Sequence, residues 1–311
     1  MLPTVALAVS VLIDTGDVSR FYKLYESAHG HPTATQVQQQ YLRPGSDGLH
    51  RLLVERPSVT ARSIAVNLLK HPEQYKLAQS CTALLPDVKR RLNVAMARFK
   101  LLYPSAQFPP ITIVVSRGKP AAIADSAGVI ASIESLCAVE WMDPNIQDRL
   151  VHVLAHEYTH VQQAIAQPAF YNHPKPTLLQ AALIEGAAEF TAQLISGAPG
   201  EVWSSQMRSH TAGREKAIEF QFVSQEGRTE LSPWIDNSTL STQGDLGYWV
   251  GYRIVKSYYD HATNKRTAIQ EIIQMNNARA FLRMSGWYPG KPIAITHRYR
   301  GFIDHVTGEI L

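Results

Sequence analysis

The feature that most constrains this chain is the run from Val151 to His160, which places His156, Glu157 and His160 in the pattern His-Glu-x-x-His. On an α-helix, residues four apart project from one face about one turn apart, so both imidazoles can reach a single ion. Glu157 then lies about 100° around the helix, beside that ion. Zinc hydrolases use this spacing to hold the metal and to place a proton acceptor next to its water. The pattern therefore requires a helix at this position.

The residues around the motif predict a helix that packs into the core. Asp143 suits an N-cap and Pro144 the first helical position, so we expect a helix from Pro144 through His160. Apolar residues recur along it at three- and four-residue spacing, which predicts one buried face. These residues are Ile146, Leu150, Val153 and Leu154.

Two histidines need a third ligand, and nearby histidines do not supply it. His152 stands eight residues before His160, about 12 Å along the helix axis, which is too far for both to bind one ion at Zn–N distances near 2 Å. We interpret His152 as a packing residue or a hydrogen-bonding partner of a ligand. One zinc-protease class continues the motif with His-x-x-Gly-x-x-His, but Gln163 and Ala166 occupy the required Gly and His positions.

A second helix offers carboxylates instead. Thr177 and Gln180 form a capping-box pattern that predicts its start, and Gly197 suits its end. Within it, Glu185 and Glu189 are one turn apart on a helix whose other face is apolar. The simplest assignment makes Glu185 the third ligand and Glu189 a hydrogen-bond acceptor for a ligand histidine. The alternative is an exposed acidic face, and weaker ligand candidates remain at Glu201, Glu215 and Glu219.

Elsewhere the chain reads as an α+β fold that is predominantly helical. Residues 18–105 carry helical periodicity, with a turn-rich interruption at Tyr41–Leu49. The β-branched runs Ile111–Ser116 and Gly128–Cys137, joined by small and polar residues, predict a small sheet before the motif helix. We therefore expect an N-terminal helical segment, residues 1–105, packed on a catalytic domain of residues 106–311.

These motifs resemble those of a known group of metallopeptidases. His156–His160 followed by Glu185–Glu189 is similar to the gluzincins, and more closely to a bacterial family described as predicted Zn-dependent proteases. The segments Tyr41–Leu49 and Gly247–Tyr252 extend the resemblance over most of the chain. It implies a zincin-like catalytic domain, one Zn²⁺ per chain and a peptide or protein substrate.

The resemblance also implies a donor for the oxyanion that develops during peptide hydrolysis, a role filled in gluzincins by Tyr or His. Tyr248 is our first candidate and Tyr252 the second; the alternative is that both only pack their helix. Glu157 is the expected general base. The rival hypotheses are a non-catalytic zinc-binding or peptide-binding protein with the same fold, and an accidental motif. An extended substrate could pair with an edge strand at residues 128–138.

The amino-acid composition limits the classes of binding partner that we expect. Charged residues make up 18% of the chain, below the ~25% usual for soluble domains, and hydrophobic residues make up 45%, so a large core can form. The formal net charge of +4 is not clustered; Lys89–Arg91 reads as the solvated face of a helix, and we expect no nucleic-acid partner. Whether His297, Arg298 and Arg300 line the cleft stays open, as does the oligomeric state.

Two features of the sequence bear on the cellular compartment of the protein. Val5–Ile13 has the length of a signal-peptide core but lacks a basic segment before it, so it could equally be a first strand. Cys81 and Cys137 could pair in an exported protein or remain buried thiols. We favour an extracytoplasmic location over a cytoplasmic one. No apolar run reaches the eighteen residues of a membrane span.

Overall fold

The computed structural model describes residues 9–119 and 122–293, and within them the chain forms an α+β fold that is mostly helical. The predicted α+β, predominantly helical class is confirmed. His297, Arg298 and Arg300 lie outside the described residues, as do residues 5–8 of the N-terminal apolar run. The helices are α1 (Gly16–Ser27), α2 (Ala34–Val37), α3 (Asp47–Glu55), α4 (Ala61–Lys70), α5 (Pro72–Cys81), α6 (Leu85–Leu102), α7 (Ile133–Ala138), α8 (Ile146–Ala166), α9 (Pro168–Tyr171), α10 (Leu178–Ser196), α11 (Ser205–Thr211), α12 (Glu215–Gln225), α13 (Leu246–His261), α14 (Lys265–Ile273) and α15 (Ala278–Met284).

A four-stranded sheet lies beside the motif helix. Its strands β1 (Ile13–Asp14), β2 (Ile111–Val114), β3 (Ala122–Asp125) and β4 (Gly128–Ser132) are ordered β1-β2-β4-β3. β1, β2 and β4 run parallel, whereas β3 pairs with β4 in an antiparallel hairpin. All residues of β2 and β4 are buried, which explains why their sequences are continuous apolar runs rather than alternating ones.

The strand prediction for residues 128–138 was wrong in two respects. The run divides into β4 and the short helix α7, because a short apolar stretch does not by itself distinguish strand from buried helix. β4 is also an internal strand, paired on one side with β2 and on the other with β3. The edge beside the motif helix is β3, in the stretch predicted only as a connection.

The N-terminal residues and the rest of the chain share this sheet and one core. β1 pairs with β2, and α6 packs on α8. The Tyr41 hydroxyl donates a 2.6 Å hydrogen bond to the Val115 carbonyl and accepts one from its amide. Cys81 and Cys137 form a disulfide that joins α5 to α7, with Cα atoms 6.6 Å apart. Tyr41 itself lies in a π-helical turn rather than in the loop predicted for Tyr41–Leu49.

The two site-bearing helices have clear end signals. α8 starts at Ile146, two residues later than predicted, because Asn145 rather than Asp143 is the N-cap and accepts from the Asp148 amide. At α10, Thr177 accepts from the Gln180 amide, but the Gln180 side chain donates to Phe170 instead of closing the box. Gly197 ends α10 at φ 71°, the left-handed conformation that favours glycine.

Helix α13 crosses α10 with backbone against backbone. A Cβ atom placed on Gly186 would overlap the backbone of Gly251, and one placed on Gly251 would overlap the carbonyl of Ala182. The two helices approach this closely only because both residues lack side chains. The crossing holds Glu185 of α10 near Tyr248 of α13. Within the described residues, no helix is both long and apolar enough to cross a bilayer.

Candidate metal centre

His156, His160 and Glu185 converge at the contact between α8 and α10. The two Nε2 atoms are 2.9 Å apart, and Glu185 Oε2 lies 3.2 Å from His156 Nε2 and 3.1 Å from His160 Nε2. Both histidines are buried. Four ligands at 2.0–2.1 Å from zinc, arranged as a tetrahedron, would be separated by about 3.3 Å. The spacing of the three atoms therefore fits zinc with one position left open.

Hydrogen bonds at the far side of each ring show which atoms face the cluster. His156 Nδ1 lies 3.0 Å from Glu189 Oε1, which only accepts. His160 Nδ1 lies 2.7 Å from Gln163 Oε1, and the amide of Gln163 is oriented because its Nε2 donates to the Ile184 carbonyl. Both Nδ1 atoms are therefore donors, so in the neutral rings both Nε2 atoms carry lone pairs. Three electron-rich atoms that face one another within 3.2 Å require a cation or a proton between them.

The charges around the cluster favour a cation as well. Burial lowers the pKa of His156, but hydrogen bonds and charge from Glu185 and Glu189 outweigh it and raise that pKa well above its ordinary value. Burial raises the pKa of Glu185, but the charge and hydrogen bonds of His160 and His156 bring it far below the ordinary range. Glu185 is therefore ionised, and the site attracts positive charge. The residues present fit a zinc ion.

Glu189 connects His156 to a second histidine. His152 Nε2 lies 3.1 Å from Glu189 Oε1, and His152 Nδ1 lies 3.1 Å from the Ala198 carbonyl. The ligand-type atoms of His152, His156 and Glu189 also lie within 4.8 Å of one another, but hydrogen bonds already use them. His152 thus contacts a carboxylate that supports a cluster residue, and it does not reach the cluster itself.

Glu157 faces a cavity of about 650 Å³ that also contacts His156. Burial raises the pKa of its carboxyl, and the charges of His160 and His156 only partly oppose this. In the part of the chain that the structure describes, its carboxylate makes no hydrogen bond or ion pair. It is thus positioned to meet a water molecule in the cavity.

Only one of the two candidate tyrosines reaches this cavity. The Tyr248 ring lies parallel to that of His156, with centroids 6.2 Å apart and planes 14° apart, and its hydroxyl is hydrogen-bonded to Asp236. Tyr252 is one turn further along α13, where its hydroxyl donates a 2.6 Å hydrogen bond to Gln193 and its ring packs on Trp203. Of the two candidates, the lining of this cavity therefore favours Tyr248.

Three further carboxylates line the cavity. Glu201, Asp236 and Asp245 have pKa values raised by burial and by neighbouring negative charge. Glu201 was a weak ligand candidate, but it lies outside the triangle formed by His156, His160 and Glu185. Of the other weak candidates, Glu219 pairs with Arg253 at 2.6 Å and Glu215 lies in the first turn of α12.

Comparison with known proteins gives one match. A family described as Predicted Zn-dependent protease (DUF2268) matches residues 111–282. The chain belongs to this family. The matched region runs from β2 into α15 and contains the whole His156, His160 and Glu185 cluster, together with Glu157 and Tyr248. No curated protein and no solved structure matches the chain.

Several residues around the centre of this family member were not identified from sequence. Gln163 was noted only because it excluded another protease class, yet it hydrogen-bonds His160. Its spacing of three residues from His160 on one helix is a signal that could have identified it. Asp236 and Asp245 lie in a loop region and have no such spacing. Both have positive φ, 57° and 56°, which only the structure reveals.

Proposed function

We propose that this protein is a zinc-dependent peptidase of the gluzincin type, with one zinc ion bound by His156, His160 and Glu185. The observation that carries the proposal is the convergence of three electron-rich atoms on two buried helices. The family match supports a zinc protease. A zincin-like arrangement is supported by the edge strand β3, which packs along α8.

When bound, zinc would supply Lewis-acid chemistry at this site, lowering the pKa of water and polarising a carbonyl group. Glu157 accepts the proton of the attacking water and later returns it to the leaving amine. Burial raises the pKa of Glu157, which favours a carboxylate that can both accept and return a proton. Its side chain has no competing partner among the described residues.

Tyr248 donates a hydrogen bond to the oxyanion that develops on the attacked carbonyl. Its stacking on His156 keeps its ring beside the cluster, and its single hydroxyl proton, which Asp236 accepts in this structure, turns to the oxyanion when substrate binds. An extended substrate pairs with the outer edge of β3, which no other strand of the described residues covers. Ala122 lines the larger cavity, and residues 123–125 line a second cavity of about 400 Å³ that reaches Glu185.

The test combines metal analysis with digestion of an unbiased peptide library. Zinc-loaded wild-type protein should contain one zinc per chain and cleave peptides. Glu157→Gln should keep its zinc and lose about 10²- to 10⁴-fold in kcat, because the amide cannot accept the proton. Glu73→Gln, a matched change at an exposed carboxylate, should leave both unchanged.

Two results would contradict the proposal. Wild-type protein that holds zinc but cleaves no peptide would favour the rival reading, a non-catalytic zinc- or peptide-binding protein. Protein that binds no zinc after careful loading would mean that the motif is accidental.

A further inference from the structure

One wall of the larger cavity is cationic. Arg56, Arg117 and Lys119 line the same space as His156 and Glu157. Arg56 also lines the second cavity, which reaches Glu185, so its side chain lies where the two spaces meet. The positive charge of Arg56 is close enough to Glu157 to lower the pKa of that carboxyl, although burial dominates there.

Two loop segments hold this wall together. Arg56 follows the last residue of α3, and its Nη1 donates to the carbonyl of Glu55 at 3.2 Å. Arg117 follows β2, and its Nη2 donates to Ser58 Oγ at 2.9 Å. The segments around residues 56 and 117 therefore lie side by side, although Ser58 and Arg117 are 59 positions apart in sequence. Arg56 and the helix before it lie outside the region that matches the family.

These cations differ from Arg51 and Arg253, each of which has a carboxylate within ion-pair distance. Arg51 pairs with Asp125 at 3.3 Å and Arg253 with Glu219 at 2.6 Å. In residues 9–119 and 122–293, by contrast, no carboxylate lies within ion-pair distance of Arg56, Arg117 or Lys119. The Nε atom of Arg117 is buried without a hydrogen-bond partner, and a buried donor in that condition is costly unless something binds to it.

We propose that this cationic wall binds a carboxylate of the substrate, so that the peptidase prefers peptides with an acidic group close to the cleaved bond. Guanidinium groups suit this ligand because their paired N–H donors match the two oxygens of a carboxylate. Asp236 lines both cavities together with Arg56, whereas Glu201 and Asp245, when ionised, disfavour a second carboxylate beside them. The inference rests on the proposed peptidase function.

Such a carboxylate has two possible sources, a Glu or Asp side chain within the peptide or the free carboxyl terminus. The experiment separates them with four matched peptides. Each carries either Glu or Gln at a given position around the bond cleaved in the library, and each is made with a free or an amidated C-terminus. The measurement is kcat/KM for every member of the set.

For an internal acidic residue, Glu→Gln at one position should lower kcat/KM about tenfold to hundredfold, and amidation should have little effect. For a terminal carboxylate, amidation should cause that loss instead. In the double variant Arg56→Gln, Arg117→Gln, the kcat/KM for acidic peptides divided by that for neutral peptides should be close to one. Arg266→Gln, a matched change on the exposed face of α14 that lines neither cavity, should preserve the ratio.

Two results would overturn the inference. The first is a ratio near one for every pair of peptides in the wild type. The second is an equal loss on acidic and neutral peptides in the double variant, because that would show that the arginines act on Glu157 rather than on the substrate. Zinc content and thermal unfolding show whether the double variant is folded. If it is not folded, the kcat/KM ratios between acidic and neutral peptides in the wild type still test the inference.

A binding measurement separates this inference from the proposed function. Fluorescence anisotropy gives Kd for the same labelled peptides on the zinc-loaded Glu157→Gln protein. Tighter binding of acidic peptides that disappears in Arg56→Gln supports the cationic wall even if no peptide is ever cleaved. Equal Kd values for acidic and neutral peptides overturn it, whatever the wild-type protein hydrolyses.

Discussion

The helical pair that carries the metal centre and the walls of the cavity are built in different ways. The cluster atoms come from α8 and α10, and each of the two histidines is oriented by a side chain from the same two helices, Glu189 or Gln163. The walls come from loops around residues 56, 117 and 236–245. The positions of the candidate metal ligands are therefore determined by spacing along two helices. The surface that would contact a substrate depends on loops that are distant in sequence and meet only in the complete fold.

Polar contacts help to order the wall formed by residues 236–245. Asp245 Oδ1 accepts from the Asn237 amide at 2.9 Å, and Asn237 Oδ1 accepts from the Asp245 amide at 2.6 Å. Asp236 and Asp245 both adopt left-handed backbone conformations, which are unfavourable for residues other than glycine. Such conformations persist only when surrounding contacts hold them, so the wall depends on this network.

The largest effect should come from removing a cluster residue. Glu185→Ala deletes the only carboxylate of the triangle and leaves two histidines, so we expect zinc affinity to fall by at least 10³-fold, measured by competition with a chelator. The exposed Glu73→Ala is the control. Full zinc retention in Glu185→Ala would mean that another residue is the third ligand.

A second change tests whether the side of the cavity formed by α13 takes part in chemistry. Tyr248→Phe removes the proposed oxyanion donor while it keeps the ring stacked on His156, so kcat should fall about 10²- to 10³-fold with zinc content unchanged. Tyr252→Phe is the matched control on the same helix, because its hydroxyl is bound to Gln193. A similar loss of kcat in both variants would remove Tyr248 from this role.

The residues that orient the histidines should have smaller effects. Glu189→Gln weakens the charge-assisted hydrogen bond to His156, and we expect zinc affinity to drop about 10- to 100-fold. Gln163→Ala removes a neutral partner of His160, so its loss should be below tenfold. A larger loss of zinc affinity in Gln163→Ala than in Glu189→Gln would contradict the view that the charged hydrogen bond to His156 contributes more than the neutral one to His160.

The smallest effect concerns Glu134, a buried carboxyl beneath the cationic wall. Its Oε1 accepts from Ser116 and from the Gly118 amide, while Oε2 is buried without a partner. Burial raises its pKa above the usual 4.5, so the folded protein keeps a proton that the unfolded chain loses. The free energy of unfolding should therefore decrease as pH rises from about 4.5 through the raised pKa, and level off above it.

Glu134→Gln carries no such proton and should lack this decrease. Relative to wild type, the variant should gain stability from the acidic to the neutral end of that range, measured by urea unfolding. Parallel pH profiles for wild type and variant would show that Glu134 does not change its protonation on unfolding.

The contrast between helices and loops also explains which site residues could be predicted from the sequence. His156, His160, Glu185 and Glu189 were assigned because helical periodicity converts spacing into position. Asp236 and Arg56 could not be assigned, because loops have no fixed period and their neighbours are distant in sequence. The edge strand was missed for a related reason: the order of strands in a sheet depends on tertiary packing, and the small residues of β3 carry a weak strand signal.

The contact between Gly186 and Gly251 has a consequence for the size of the reaction chamber. Glu185 precedes one glycine and Tyr248 lies three residues before the other, so the distance between the two sides of the chamber depends on how closely these backbones approach. A methyl group at either position would push the two helices apart and move the proposed metal-binding carboxylate, Glu185, away from Tyr248. The width of the cavity between Glu185 and Tyr248 therefore depends on the hydrogen side chains of Gly186 and Gly251, because no larger side chain fits between the two backbones.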